Sequence, residues 1–250
     1  MKNRLFLYVK EVVHALVWFV RHVEGRYKID EIALIRRFVS DGDICLDVGA
    51  HAGAWTKPLS RLVPAGRVYA FEALPYYARV LSRLIWMLRL KNVTLIAKAV
   101  SDKDGTLSIA WKGADGQPLT GCTHIATAQD ENPDTISVET LALDSLLPAF
   151  PAAAKISFIK IDIEGAELLA VKGAARLIAR FRPVFYLEVF NDYCKRYGYT
   201  HEDLFSLFAG LNYTAFHVGH RDGESGSVPV TAGTYPGKGD VIFIPLEHTG

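Results

Sequence analysis

The sequence contains little cysteine and almost no net charge. Its 250 residues include three cysteines, Cys45, Cys122 and Cys194, and no two of them form a Cys-x-x-Cys pair. These numbers exclude a secreted module stapled by disulfides, disfavour a structural zinc site, and fit a cytoplasmic protein with reduced thiols. The 28 basic residues are balanced by 27 acidic ones. The chain therefore has no general basic field, and we expect no nucleic-acid partner.

A long uninterrupted apolar run is also missing. The most apolar stretch, residues 5–23, is broken by polar and charged side chains, among them Lys10, Glu11, His14 and Arg21. A membrane-spanning helix needs about 20 predominantly apolar residues, so we expect no transmembrane segment. Residues 1–29 instead read as an amphipathic helical segment. It packs on the domain, or it serves as a membrane-surface or homodimer helix.

From residue 30 to residue 250, apolar strand patterns alternate with helix patterns. This alternation predicts one α/β domain: a doubly wound, mostly parallel, seven-stranded sheet of the Rossmann-like type. It breaks at residues 106–140, which read as inserted strands joined by a long polar loop. Residues 219–240 read as a glycine-rich loop on the substrate side. Ligands of such sheets bind beyond the carboxyl ends of the strands, so the residues that end each strand carry the functional information.

The first three strands end in residues suited to a nucleoside ligand. Asp47 is followed by a loop with two glycines, Gly49-Ala50-His51-Ala52-Gly53, where the backbone can approach a ligand closely. This loop has neither the dinucleotide fingerprint Gly-x-Gly-x-x-Gly nor the phosphate loop. Glu72 ends the second strand, where a carboxylate can bind a ribose diol. Ser101 and Asp102 follow the third strand, where they suit an adenine edge.

The fourth and fifth strands present acids between apolar neighbours. Asp162 and Glu164 lie in the segment Lys-Ile-Asp-Ile-Glu-Gly-Ala-Glu over residues 160–167, and Glu188 lies between Leu187 and Val189. A carboxylate in a partly desolvated cleft can have a raised pKa and act as a general base. Helix capping is the alternative for Asp162 and Glu164. The three acids could also hold a divalent metal, although we favour a site without metal.

These strand ends together resemble the FkbM-type family of class I S-adenosylmethionine-dependent methyltransferases. The resemblance rests on five segments, residues 47–53, 71–72, 99–102, 143–146 and 159–167. It implies S-adenosylmethionine as cofactor and O-methylation of a sugar, glycan or polyketide-type hydroxyl. By position, the implied cofactor site comprises Asp47, Gly49, Ala50, His51, Gly53, Glu72, Ser101, Asp102 and Asp162.

For the base, we expect Asp162 first and then Glu164 and Glu188, with His51 and His124 as weaker candidates. Two other functions stay open from the sequence. A nicotinamide-dependent oxidoreductase shares the sheet and Glu72, but the glycine spacing argues against it. A non-catalytic interaction domain keeps the fold but does not need acids at the strand ends.

Overall fold

The computed structural model describes residues 2–25, 29–111, 124–127, 134–221 and 224–248. In this part of the chain the helices are α1 (Lys2–Val23), α2 (Ile29–Ile35), α3 (Thr56–Leu62), α4 (Pro75–Met87), α5 (Glu167–Lys172), α6 (Ala175–Phe181), α7 (Asn191–Cys194) and α8 (His201–Gly210). The strands are β1 (Ile44–Val48), β2 (Arg67–Phe71), β3 (Val93–Ile96), β4 (Ala99–Val100), β5 (Gly105–Ala110), β6 (His124–Ile125), β7 (Thr135–Leu141), β8 (Ile156–Ile161), β9 (Val184–Phe190), β10 (Tyr213–Arg221), β11 (Glu224–Val230) and β12 (Lys238–Pro245).

The main sheet has the strand order β11-β10-β12-β9-β8-β1-β2-β3. Its pairs from β9 to β3 are parallel, and β12, β10 and β11 pair antiparallel at the other side. The predicted α/β class and mostly parallel sheet are confirmed. The sheet has eight strands instead of the expected seven, because part of the segment 219–240 forms β11 and pairs with β10. From β1 the chain builds outward to β2 and β3, and later returns to the other side of β1 with β8 and β9. The carboxyl ends of β1 and β8 therefore flank the point where the strand order reverses.

A second sheet, with the order β4-β7-β5-β6, forms beside the main one. The sequence pattern predicts one continuous third strand over residues 93–100, but this strand divides into β3 in the main sheet and β4 in the second. The insertion over residues 106–140 contributes β6 and most of β5 and β7. Its residues 112–123 and 128–133 lie outside the described residues.

The sequence pattern predicts one helix over about residues 164–180, but the structure divides this segment into α5 and α6 at Gly173. A Cβ atom at Gly173 would overlap the backbone carbonyl oxygen of Ser101, so the chain passes close to β4 at this point. The carboxylate of Asp144 then accepts hydrogen bonds from the backbone N–H groups of Arg176 (2.9 Å) and Leu177 (2.8 Å). These bonds satisfy donors in the first turn of α6 and define its start.

The core lies on both faces of the main sheet. One face packs β1, β8 and β9 against α5, α6 and α8 around Leu46, Ile159 and Phe208, all fully buried. The other face packs Val68 and Phe158 against Leu59 of α3 and Ile35 of α2. Strands covered on both faces are continuously apolar, which is why β1 and β8 read as unbroken hydrophobic runs.

Helix α1 packs beside α4 and over the loop that follows β1. The carboxylate of Glu11, 3% exposed, bonds the guanidinium groups of Arg79 (2.6 Å) and Arg83 (3.1 Å) on α4. At the other end of α1, His22 Nε2 lies 2.9 Å from the carbonyl oxygen of Ala52. Within the described residues, none of the helices has the length and apolar content that a bilayer crossing requires.

Candidate active site

A cavity of about 310 Å³ opens beyond the carboxyl ends of β1, β2 and β8. This volume is at the lower end of the range for small-molecule pockets, about 300–1,000 Å³. Its wall includes the loop residues 49–51, Glu72, Lys160, Asp162 and Glu164. Its position coincides with the reversal of strand order, where ligands of this sheet type bind.

The backbone at Gly49 passes directly against the end of β8. Gly49 has a φ of +77°, and a Cβ atom there would overlap the backbone carbonyl oxygen of Asp162. The backbone N–H of Asp162 in turn donates to the carbonyl of Val48 at 3.1 Å. A side chain at position 49 would force these two strand ends apart. Glycine is therefore required for the cavity floor to close.

Glu72 holds the loop in place from the end of β2. Its Oε2 accepts the backbone N–H of His51 at 2.8 Å, and its Oε1 accepts that of Leu74 at 2.8 Å. Burial raises the pKa of Glu72 to about 7, although these two hydrogen bonds act in the opposite direction. We call this region, residues 49–53 with Glu72, the glycine-loop side of the cavity.

Lys160 connects the two central strands underneath the cavity. Its ammonium lies 3.0 Å from the carbonyl oxygen of Gly49, 3.3 Å from Asp162 Oδ2 and 3.7 Å from Asp47 Oδ1. Asp47 is fully buried and also accepts the hydroxyl of Thr56 at 2.6 Å. Burial alone lowers the pKa of Lys160, but the charges of Asp162 and Asp47 outweigh it, and the pKa is raised. Lys160 thus stays protonated and balances two carboxylates.

Three half-buried acids meet on the opposite side. Carboxylate oxygens of Asp162, Glu164 and Glu188 lie within 4.8 Å of one another, and we call them the carboxylate cluster. Burial, then the charges of Asp162 and Glu167, raises the pKa of Glu164 to about 7. Burial, then the charges of Asp162 and Glu164, raises the pKa of Glu188 to about 8. Near neutral pH the cluster therefore holds at least part of a proton.

The loop that carries two members of the cluster, Asp162 and Glu164, is fixed by Glu167. This side chain is 1% exposed, and its Oε1 accepts the backbone N–H groups of Ile163 (3.0 Å) and Gly165 (3.2 Å). Glu164 adopts a left-handed backbone, with a φ of +58°. Such a conformation is uncommon for glutamate and persists because the surrounding bonds hold it. Glu167 is therefore a positioning residue for Glu164 and not part of the cluster.

Tyr77 of α4 lines the cavity on the glycine-loop side, and aromatic side chains of α1 pack behind it. The His51 ring lies 3.9 Å from the Tyr77 ring and 5.7 Å from that of Trp18, measured between centroids. Trp18 donates its Nε1–H to His14 at 2.8 Å, and His14 lies 3.2 Å from the Tyr76 hydroxyl. Burial, then the charges of His14 and Lys160, lowers the pKa of His51 to about 4. His51 is therefore neutral at pH 7.

The predicted site residues fall into three groups. Gly49, Ala50, His51, Glu72, Asp162 and Glu164 line the cavity together, as does His124. Asp47 lies beneath the floor, and Gly53 lies against Leu81 and His22. Ser101, Asp102 and Glu188 are not among the described lining residues. The carboxylate of Glu188 nevertheless lies within 4.8 Å of that of Asp162, which does line the cavity. In the region assigned to adenine, Lys98, Ala99 and Val100 line the wall instead.

The sequence did not point to a role for several residues around the site. Lys160 could have been noticed, because it is a lone lysine in an apolar strand. Tyr77 and Trp18 could not, since each lies in an ordinary helical pattern. If a divalent cation binds, the carboxylate cluster is the group of described residues that can hold it, since oxygen ligands suit Mg²⁺.

The arrangement matches known proteins in sequence and in fold. The model of the FkbM methyltransferase domain matches residues 47–215. A solved FkbM methyltransferase from Methylobacillus flagellatus KT is similar, with a TM-score of 0.51 and 18% identity over 82% of this chain and 44% of that one. The chain thus spans less than half the length of that protein. Cofactor-bound Rv0187 from MTB has a TM-score of 0.50 and 12% identity over 95% of this chain and 90% of that one. No curated protein sequence matches the chain at a significant level.

Proposed function

The chain belongs to the FkbM methyltransferase family, and we propose that it moves the methyl group of S-adenosylmethionine onto a hydroxyl oxygen of a sugar, glycan or polyketide-type acceptor. Methyl transfer follows from the family. The oxygen acceptor is supported by the carboxylate cluster, because a hydroxyl must lose a proton as it is methylated, and this site can accept one.

The residues present fit S-adenosylmethionine. The observation that carries the assignment is Glu72, a buried carboxylate on the cavity wall at the end of β2. Each of its oxygens accepts one backbone N–H and keeps a further lone pair for a ribose hydroxyl. Val100, Ile109 and Ile125 form an apolar wall that suits adenine. When bound, the cofactor supplies an activated methyl group on a sulfonium.

The protein then has two tasks, to position the acceptor and to take its proton. Asp162 lines the cavity, and we assign it as the group that accepts the hydroxyl proton. Glu164 and Glu188, with pKa values raised to about 7 and about 8, can share that proton at neutral pH. Positioning can supply about 7–11 kcal/mol of the barrier, and proton removal typically adds about 10²- to 10⁴-fold.

Titration calorimetry tests which cofactor the protein binds. We expect S-adenosylmethionine to bind with a one-to-one stoichiometry and NAD to give no heat. Binding of NAD without S-adenosylmethionine would support an oxidoreductase, and silence with both ligands would support an interaction domain. Either outcome contradicts the proposal.

The acceptor class requires a separate experiment. Cell extract is incubated with the protein and with S-adenosylmethionine carrying an isotope-labelled methyl group, and labelled products are identified by mass spectrometry. The Asp162→Asn protein is the matched blank. We expect labelled methyl ethers, whereas label found on nitrogen or carbon would reject the hydroxyl acceptor while leaving the methyltransferase assignment intact.

A further inference from the structure

Helix α1 turns its apolar side away from the protein. Six aliphatic side chains along one side of the helix are between 45% and 64% exposed: Val9, Val13, Leu16, Val17, Val20 and Val23. We call this row the outer stripe. Its spacing of three and four residues is that of an amphipathic helix, which normally buries such a row against its own domain.

The side of α1 that faces the domain is instead rich in polar groups. Glu11 and His22 are 3% and 1% exposed, and His14 is partly buried. Glu11 is held by Arg79 and Arg83, and His22 by the carbonyl of Ala52. These specific bonds fix the rotation of the helix. Contiguous apolar surface left outside in this way marks an interaction site.

The charge of α1 indicates which kind of partner binds the outer stripe. The charged residues of α1 are four basic ones, Lys2, Arg4, Lys10 and Arg21, and the single acid Glu11. Glu11 is buried between two arginines, so the exposed charged side chains described on this helix are Lys10 and Arg21, both basic. Two copies of the chain packed stripe to stripe would bring like charges together. An anionic lipid surface complements both the basic residues and the apolar row.

Exposed aromatic side chains beside α1 also favour a lipid surface as the partner. The Arg83 guanidinium lies 5.1 Å from the centre of the Tyr8 ring, and Tyr8 is 56% exposed. One helical turn beyond Arg83, Trp86 is 80% exposed. Exposed tryptophan and tyrosine are typical of the boundary between lipid headgroups and acyl chains, where the amphipathic rings are most stable.

We propose that the outer stripe binds the surface of an anionic lipid bilayer. Because α1 lies along α4 and the glycine-loop side, it can insert only in the plane of the bilayer, with the domain on the aqueous side. Its opposite side contacts the cavity wall through Trp18 and His51. Docking therefore brings the active-site cavity to about one helix diameter, about 10 Å, from the lipid.

Vesicle co-sedimentation tests the proposal with the full chain. Vesicles of phosphatidylcholine alone are compared with vesicles in which phosphatidylglycerol replaces part of it. We expect the wild-type protein to sediment with the anionic vesicles. Val13→Glu/Val20→Glu should weaken this partitioning about tenfold or more, because both positions lie in the stripe. Lys10→Gln should weaken it about fivefold, since a basic residue near such a surface contributes about 1 kcal/mol.

The matched control is Val228→Glu, at a valine 53% exposed on β11, which should sediment like the wild type. Calorimetry with S-adenosylmethionine checks that every variant keeps its fold. Sedimentation that is absent in the wild type, or unchanged in Val13→Glu/Val20→Glu, overturns the proposal. A wild-type dimer in analytical ultracentrifugation that the double variant makes monomeric, without vesicle binding, would assign the stripe to a second copy and also overturn it.

Discussion

Glu72 directly follows β2 and Glu188 lies two residues before the end of β9, and burial raises the pKa of each. Their partners differ. Glu72, on the glycine-loop side, gives each oxygen to a backbone N–H group at 2.8 Å. Glu188, in the carboxylate cluster, faces two other acids. The first arrangement fixes a shape for a ligand, whereas the second brings three acids close enough to share a proton.

This difference between the partners of Glu72 and Glu188 assigns ligand binding to one side of the cavity and proton transfer to the other. On the glycine-loop side the Glu72 carboxylate binds two backbone N–H groups and position 49 has room only for glycine, so this side can be rigid before any ligand arrives. In the carboxylate cluster, like charges at close range cannot all ionise, so its protonation depends on pH and on what binds. Substitutions on the two sides should therefore alter different quantities.

The largest effect is expected from Asp162→Asn. Asparagine keeps the size of the side chain but cannot accept a proton, so kcat should fall about 10²- to 10⁴-fold. Affinity for S-adenosylmethionine should stay within about threefold, because Glu72 is untouched. Steady-state kinetics and calorimetry measure the two quantities, and Asp192→Asn, at an 89% exposed carboxylate, is the control. Full turnover in Asp162→Asn would remove this residue from the proton-transfer step.

The next largest effect is expected from Glu72→Ala, on the affinity for S-adenosylmethionine. Glu72→Ala removes the acceptor for two backbone N–H groups and the proposed ribose partner, and we expect S-adenosylmethionine to bind about 100-fold more weakly. Glu72→Gln keeps one oxygen acceptor and should lie between wild type and Glu72→Ala. Glu202→Ala, at an exposed position of α8, serves as the control for calorimetry. Unchanged affinity in Glu72→Ala would refute the ribose assignment.

A smaller effect is expected in the pH profile of Glu188→Gln. In the wild type, kcat/KM should rise as pH increases through about 8, because ionised Glu188 can take up the proton that the acceptor releases and protonated Glu188 cannot. Glutamine resembles the protonated glutamate permanently, so the variant should keep the low-pH rate and lose this rise. A wild-type profile that is flat between pH 7 and pH 9 would separate Glu188 from catalysis.

The smallest effect concerns stability. The pKa of Glu188 rises from an ordinary 4.5 to about 8 on folding, so the folded state holds more protons between these values. The contribution of Glu188 to stability is therefore greatest at or below about pH 4.5 and is lost as pH rises toward 8. Compared with wild type, Glu188→Gln should gain a few degrees in Tm between pH 5 and pH 8. Scanning calorimetry measures this gain, and Glu202→Gln should show none.

The strands that build the cavity could be predicted closely. Ile44–Val48, Arg67–Phe71 and Ile156–Ile161 have the bounds that their apolar runs indicate, because a strand covered on both faces leaves a continuous hydrophobic signature. The capping box at Thr200 and Asp203 likewise marks the start of α8. The eighth strand of the sheet could not be predicted, since residues 224–230 include Gly226 and Pro229, which are poor strand formers, and only pairing with β10 makes them a strand.

The site divides in the same manner. The sequence alone indicates which acids and glycines follow each strand, and the parallel order of the strands predicts that these residues meet at one edge of the sheet. The tertiary structure assigns a role to each: Glu72 holds His51, Lys160 lies between Asp47 and Asp162, and Glu188 joins Asp162 and Glu164. It also decided the orientation of α1, since the pattern of an amphipathic helix does not say which side faces the domain. Ion pairs from Glu11 to α4, 68 residues or more along the chain, fixed that orientation and left the outer stripe exposed.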